Sequence, residues 1–494
     1  MADFGDLIVV IPGIFGSRLE REDGTLLYDL TLAALPRTLR TLTSEGLHDL
    51  SMDSPPNDGV TARAVFKYQL LPGFFGNDDY DSLIAMLRRC VKCPDEQVLT
   101  FPYDWRASNR WAAEHLDHVV RPALNAWKRS SGNEGAKLWL VAHSMGGLVA
   151  RYFCEHLGGA DITRELITLG TPHRGTAKAL DVLVNGMCLA GIIDVSSFVR
   201  SLPSVYELLP QYPVLRPMLS EPGGEIGQAF GLFDVYGLGD YLPVPQCSTR
   251  PSGNVPSKWD ALLKLDRRML QHAAKFHAAI REPVVKRMDA EAAPPYNIRC
   301  LINRRQPTIL SAILHHGRLE ASTVDPMAAP GGMTDPANRG DGTVAAVSAI
   351  PLEWGDTSNA VVVAEKHVGM PASSQVLEVL KNWLLPQDAR AYMGGSTVTD
   401  RAILGLKSPA AIREGDRLVI EVDTLDKGAN VTASLSPVGV PKPWLSTRAR
   451  VPGSGQPLDI DLGTPTEGSW LLTVQPEDGR WSRVSDYVLV VAEG

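Results

Sequence analysis

At 494 residues the chain exceeds one ordinary hydrophobic core and is expected to hold about two or three folding units, with the 44% apolar content of a globular protein. A net charge of −8 argues against nucleic acid as a partner and against electrostatic capture by anionic membranes, so a lipid surface would be reached through apolar contact. The first six residues carry no basic n-region and no run approaches the ~20 apolar residues of a membrane span, so a cytoplasmic chain is expected, with its six scattered cysteines reduced.

Leu7-Ile8-Val9-Val10-Ile11 reads as a buried strand, and the loop after it, residues 12–17 (Pro-Gly-Ile-Phe-Gly-Ser), is punctuated by glycine. A backbone N–H of Ile14 or Phe15 in that loop is a candidate oxyanion donor. Residues 70–76 set two phenylalanines in a Gly/Pro loop, which is expected to pack on the main domain rather than dip into a membrane. Cys90 and Cys93 have zinc-like spacing without a matching second pair, so no metal site is expected. In Pro102-Tyr103-Asp104-Trp105-Arg106, Asp104 and Trp105 are expected to end a strand and support a pocket wall, since a Trp there more often packs than binds.

The most informative stretch is Val141-Ala142-His143-Ser144-Met145-Gly146-Gly147, set between the apolar run 138–141 and an amphipathic segment beginning at Leu148. This is the strand, sharp turn and helix of a nucleophile elbow. A serine hydroxyl attacks well only when a base takes its proton and N–H groups stabilise the oxyanion. The elbow lifts the Ser144 Oγ above the sheet and aims the Met145 N–H, at a helix N-terminus, toward the developing charge. The usual first glycine of the motif is Ala142 here, one extra methyl that the turn can bear.

Elbow hydrolases order their triad serine, acid, histidine along the chain. In residues 339–344 (Arg-Gly-Asp-Gly-Thr-Val), Asp341 is a glycine-flanked acid in a turn, with Asp325 and Asp335 as alternatives, and only one histidine, His367, follows it. His367 comes just after the apolar run 360–364, which reads as a buried parallel strand. It would take the Ser144 proton and later return it to the leaving group, while Asp341 fixes the imidazole tautomer.

Strands and helices alternate over residues 1–175 and resume from about 296, the pattern of a doubly wound, mostly parallel sheet. The insertion between them, residues 176–295, is expected to form a helical cap. Within it, residues 182–193 are apolar but too short to span a bilayer, and a cap-core helix is favoured over an interfacial lid. Beyond residue 386 the composition shifts to short alternating runs separated by turns, such as 417–422, 458–462, 470–474 and 487–491, which predict a small antiparallel sandwich over 403–494.

The segments 10–20, 102–106, 142–147, 168–172, 340–344 and His367 occur in the order seen in the lecithin:cholesterol acyltransferase family, which also includes lysosomal phospholipase A2, and over residues 1–385 the chain resembles that family. Residues 201–210 resemble a stretch of its bacterial-type members and are placed in the cap without a catalytic role. The resemblance implies an α/β-hydrolase fold over 1–390, a Ser144, Asp341, His367 triad, oxyanion N–H groups from Ile14 and Met145, and pocket support from Phe15, Asp104 and Trp105. It implies acyl transfer from a glycerophospholipid ester through an acyl-serine, to water or to an alcohol, with no cofactor. A carboxylesterase or triacylglycerol lipase using the same triad is an alternative, as is a recognition protein on a hydrolase scaffold. The terminal sandwich resembles an immunoglobulin-like accessory domain of unknown partner, and its removal is expected to leave hydrolysis of a short soluble ester intact.

Overall fold

The computed structural model describes residues 4–24, 26–28, 56, 58–65, 80–189, 193–217, 230–236, 238, 263–315, 318–323, 339–385, 402–424, 428–438, 440, 442–453, 455–477 and 481–491. The aromatic loop 70–76, the alternative acids Asp325 and Asp335, and most of the junction expected between residues 390 and 403 lie outside them.

Six strands form the central sheet: β1 (Leu7–Ile11), β2 (Val98–Thr100), β3 (Leu138–His143), β4 (Thr163–Leu169), β5 (Asn297–Ile302) and β6 (Val361–Val362). Their spatial order is β2-β1-β3-β4-β5-β6, and every neighbouring pair is parallel. Because alternate side chains leave a strand on opposite faces, a parallel sheet covered on both sides needs apolar residues at every position. In β1, Leu7, Val9 and Ile11 enter one core, and Ile8 and Val10 enter the other. Helices α1 (Tyr80–Cys90) and α6 (Ser374–Leu384) cover the second face. The first is covered by α2 (Asn109–Ser131) and α3 (Gly146–His156), with α5 (Arg267–Asp289) packed against α3.

Two sequence expectations need correction here. Residues 360–364 do not make a continuous buried strand: only Val361 and Val362 pair, both are half-buried, and they form the edge of the sheet against β5. An edge strand has one neighbour, so its pairing ends where the chain turns toward His367. Nor is the cap purely helical or confined to 176–295. A strand at Pro213–Pro217 pairs in parallel with Ser311–His315, which pairs with Arg318–Ser322, so chain beyond β5 completes a four-stranded cap sheet. Unpaired strand N–H and C=O groups are costly to leave buried, which explains the recruitment. Helix α4 (Ala177–Asn185) buries Ala177, Ala179, Leu180, Val182 and Leu183 against the cap sheet and its neighbouring helix, so the first part of the apolar stretch 182–193 is core-forming helix.

Residues 402–491 build two facing sheets around their own apolar core. One sheet is β7 (Gly405–Lys407), β9 (Val419–Asp423) and β12 (Leu458–Asp461); the other runs in the order β8 (Ala411–Arg413), β14 (Val484–Val491), β13 (Gly468–Pro476), β10 (Ala429–Pro437), β11 (Leu445–Val451). Alternation is clear in β10, where Ala429, Val431, Ala433 and Leu435 point inward. The sandwich is not wholly antiparallel, because β8 pairs in parallel with β14. Leu489 faces away from the sandwich core and joins the apolar cluster of the hydrolase domain.

Candidate active site

β3 delivers its C-terminal end to the middle of the sheet, where the chain reverses into α3 with Ser144 at φ 50°. A non-glycine residue in this region is strained, and elbows hold it there to expose the nucleophile. Space around the turn is minimal. A Cβ on Gly146 would lie 2.3 Å from the Pro12 carbonyl, and one on Gly147 would lie 2.0 Å from the Thr171 Oγ1. Ala142, in contrast, sits inside the strand, fully buried, and its methyl is accommodated.

Ser144 Oγ lies 2.9 Å from His367 Nε2, and His367 Nδ1 lies 2.7 Å from Asp341 Oδ2. The other carboxylate oxygen of Asp341 accepts from the N–H groups of Thr343 and Val344 at 2.9 and 2.7 Å, which orients the carboxylate. The main chains also meet, since the His367 N–H donates to the Asp341 carbonyl at 2.9 Å. Exposures of 8%, 4% and 1% for Ser144, His367 and Asp341 place these bonds where water does not screen them. Thus the three residues picked out from the sequence converge across a separation of 223 positions. Such a chain can lower the cost of ionising a serine hydroxyl as it attacks a carbonyl.

The loop after β1 abuts the nucleophile: a Cβ on Gly13 would come within 3.0 Å of the Ser144 Cβ. Phe15 holds a positive φ of 62°, and its ring rests on Trp105 at a centroid distance of 4.1 Å. Trp105 is fully buried, and its indole N–H donates to the Ser17 carbonyl at 3.0 Å. Tyr103 bonds the Pro12 carbonyl at 3.0 Å and its N–H meets the Ser17 hydroxyl at 3.0 Å. The segment 102–106 therefore braces both ends of this loop from beneath. Asp104 pairs with the buried guanidinium of Arg106, which also reaches Asp58. These residues lie in the turn beyond β2, which stops at Thr100, and not at the strand end. Ile14 and Met145 are both buried beside Ser144's turn, Met145 at the N-cap of α3, where the helix dipole favours negative charge.

Three further residues belong to the site. Tyr80 Oη accepts from the Gly13 N–H at 2.8 Å and lies 2.8 Å from His143 Nδ1. His143 Nε2 lies 3.0 Å from the His367 carbonyl oxygen. A carbonyl cannot donate, so Nε2 carries the proton, and Nδ1 of the neutral ring accepts from the tyrosine hydroxyl. This relay links the loop after β1 to the histidine loop beneath the nucleophile. His143 lay within the motif already quoted, but Tyr80 has no sequence signal beyond heading an amphipathic helix. Gly170, in the segment 168–172, has φ 58°, and a Cβ there would fall 2.8 Å from Asp341 Oδ2 and 2.9 Å from His367 Nδ1. Only glycine leaves room for that hydrogen bond. Among the described residues no cluster of His, Cys, Asp and Glu is arranged to hold a metal ion.

The fold and the elbow define an α/β-hydrolase with a serine, histidine and aspartate in hydrogen-bonded series. Residues 58–226 of the chain match the lecithin:cholesterol acyltransferase family. An uncharacterized protein of Saccharomyces cerevisiae is 34% identical over 90 residues, covering 18% of this chain and 12% of that protein. A phospholipase A(1) of Arabidopsis thaliana is 26% identical over 150 residues, 29% of this chain and 32% of the relative. The chain thus spans about a third or less of the length of these curated relatives. Solved structures resemble it more coarsely. A chain of the Tle4–Tli4 complex has 16% identity and a TM-score of 0.45, with 77% of this chain and 98% of that one covered. Phospholipase PlaB from Legionella pneumophila has 10% identity and a TM-score of 0.32, with coverage of 98% and 92%.

Proposed function

We propose that the protein is a serine acyl hydrolase or O-acyltransferase that takes an acyl group from a glycerophospholipid ester. The observation that supports this reading most directly is the hydrogen-bonded series Ser144–His367–Asp341 at the end of β3, in a chain whose residues 58–226 match a family of lipid acyltransferases. His367 Nε2 accepts the Ser144 proton as Oγ attacks the ester carbonyl, and Asp341 stabilises the imidazolium that results. The tetrahedral oxyanion is met by the N–H groups of Met145 and Ile14. His367 then protonates the departing lysolipid oxygen, leaving an acyl-serine. Water or an alcohol, deprotonated by the same imidazole, attacks the acyl-serine and releases a fatty acid or a new ester. A net charge of −8 directs approach to a lipid surface through apolar contact rather than through anionic headgroups. No helix among the described residues is long and apolar enough to cross a membrane.

The test is mass spectrometry of products from phosphatidylcholine vesicles, with and without a long-chain alcohol, comparing wild type with Ser144→Ala. Lysophospholipid and free fatty acid are expected from the wild type, and an acylated alcohol as well if the alcohol competes with water. The variant should lose at least about 10⁵-fold in turnover while keeping its fold, because one oxygen is removed rather than core volume. Undiminished turnover by Ser144→Ala would sink the mechanism. A wild type active on short esters but inert toward vesicles would make the protein a carboxylesterase.

A further inference from the structure

The acid and the base lie outside the strands of the central sheet, the base just beyond its edge strand β6. His367 follows a two-residue edge strand, and Asp341 sits outside the regular strands, in a turn whose ladder contacts are isolated bridges joining Gln306, Gly340, Asp341 and Ala345. The terminal sandwich converges on both loops. Gln306 is fully buried, and its N–H donates to the Gly340 carbonyl at 2.9 Å, one residue from the acid. Its side-chain amide spans to the sandwich, donating to the Leu404 carbonyl and accepting from the Leu406 N–H, both at 3.0 Å. On the histidine loop, the buried Glu365 carboxylate accepts from the Ser485 N–H at 2.9 Å. Lys366, which immediately precedes the histidine, forms an ion pair with Asp486, and Ser408 lies 3.3 Å from the ammonium and donates to the same carboxylate. With 14% and 13% of the two side chains exposed, this pair is only weakly screened. Gln375, at the start of α6, reaches Ser482 at 3.2 Å.

We propose that the terminal sandwich is a positioning element of the catalytic site, with Lys366–Asp486 fixing the histidine loop and Gln306 fixing the acid loop. The proposal rests on the triad reading above. His367 has to keep Nε2 at hydrogen-bond distance from Ser144 while Nδ1 stays on Asp341, and a displacement near 1 Å can cost about 10²-fold in rate. Within the hydrolase domain the backbone of residues 365–367 is held by Asn303 on the Glu365 carbonyl, by His143 on the His367 carbonyl and by the Asp341 carbonyl on the His367 N–H, and side chains of the sandwich add restraint from a second direction. Lys366, Asp486 and Gln306 act through their neighbours and touch no reacting atom.

The test uses the full-length chain and two readouts: the rate at which a fluorophosphonate labels Ser144, and kcat and KM for a short soluble ester. Asp486→Ala and Lys366→Met are expected to lower both the labelling rate and kcat by about tenfold, with KM within about twofold, because substrate contacts are untouched. Lys366→Arg, which keeps the ion pair, should restore most of the rate. The downfield proton resonance of the His367–Asp341 hydrogen bond should broaden or vanish in the first two variants and persist in the third. Folded Asp486→Ala and Lys366→Met proteins with wild-type labelling and kcat would overturn the proposal. Should either lose its near-ultraviolet circular dichroism, Ser408→Ala removes one hydrogen bond from the same cluster and decides the matter by the same rates. A wild type that does not label at Ser144 would remove the triad reading itself, which is a distinguishable failure.

Discussion

The nucleophile and its acid–base partners are held by different kinds of structure. Ser144 stands at the end of a central strand flanked by β1 and β4 and is fixed by main-chain geometry: a strained φ, tightly packed glycines and a helix that begins two residues later. Asp341 stands in a turn and His367 opens a short 3₁₀ helix beyond the edge strand, and side chains reaching across from other parts of the chain add to the few main-chain bonds that hold them. A site built on regular structure announces itself locally. A site built on loops and props does not.

That contrast can be broken at several points. On the acid–base side Asp341→Asn should do most damage, about 10⁴-fold in kcat, because the amide oxygen would stay on the Thr343 and Val344 N–H groups and turn its NH₂ toward His367. Nδ1 would then have to accept, leaving the proton on Nε2, where it faces Ser144; steady-state kinetics on a soluble ester checks this. Gly170→Ala should cost about 10²-fold, since the methyl intrudes on the Asp341–His367 bond at a position that already needs positive φ. A crystal structure of that variant should show the two side chains forced apart. Tyr80→Phe tests the nucleophile side, where the Gly13 N–H and His143 Nδ1 would both lose a partner. About 2 kcal/mol of stability should go in urea titration, with a fall in kcat near tenfold.

Glu365→Gln is the mildest. Burial raises the Glu365 carboxyl to about 7 against its usual 4.5, with the Ser485 N–H and the Arg483 charge opposing the shift. Between those values the folded protein holds a proton that the unfolded chain has lost, so stability falls as pH rises from 4.5 to 7, and the full penalty is present above 7. The penalty is on the order of 3 kcal/mol, and the glutamine variant should lack it. Urea midpoints of wild type and variant at either end of that window should therefore diverge as pH rises. Equal pH dependence in the two proteins would remove Glu365 as the source.

The sequence made the nucleophile side legible. The apolar run of β1, the glycines of the following loop and the elbow are local patterns, and each corresponds to an element of the structure. The Tyr-Asp-Trp-Arg segment was legible as support but not as a brace beneath residues 12–17, since that depends on where Ser17 and Pro12 present their carbonyls. On the other side, Asp341 and His367 could be selected by chain order, but Gln306 and Lys366 could not, and Gly170 was carried in the segment 168–172 without a role. A buried glutamine that bridges two backbones leaves no periodic trace, and a lone lysine before a histidine looks like any exposed loop residue. The expectation that the terminal sandwich can be removed without much loss of short-ester hydrolysis rests on composition, which marks where a core changes and is silent about hydrogen bonds between cores; truncation after residue 390 tests it against the positioning proposal.

The spacing of these parts also carries a timetable. A ribosome adds about 5–20 residues each second, so between making Ser144 and making Asp486 it spends roughly twenty seconds to a minute. Through that interval the nascent chain has its serine without a base, and then a base without its brace. If the sandwich positions the site as proposed, the last increment of rate, about tenfold, is gained only when the strand that carries Asp486 docks.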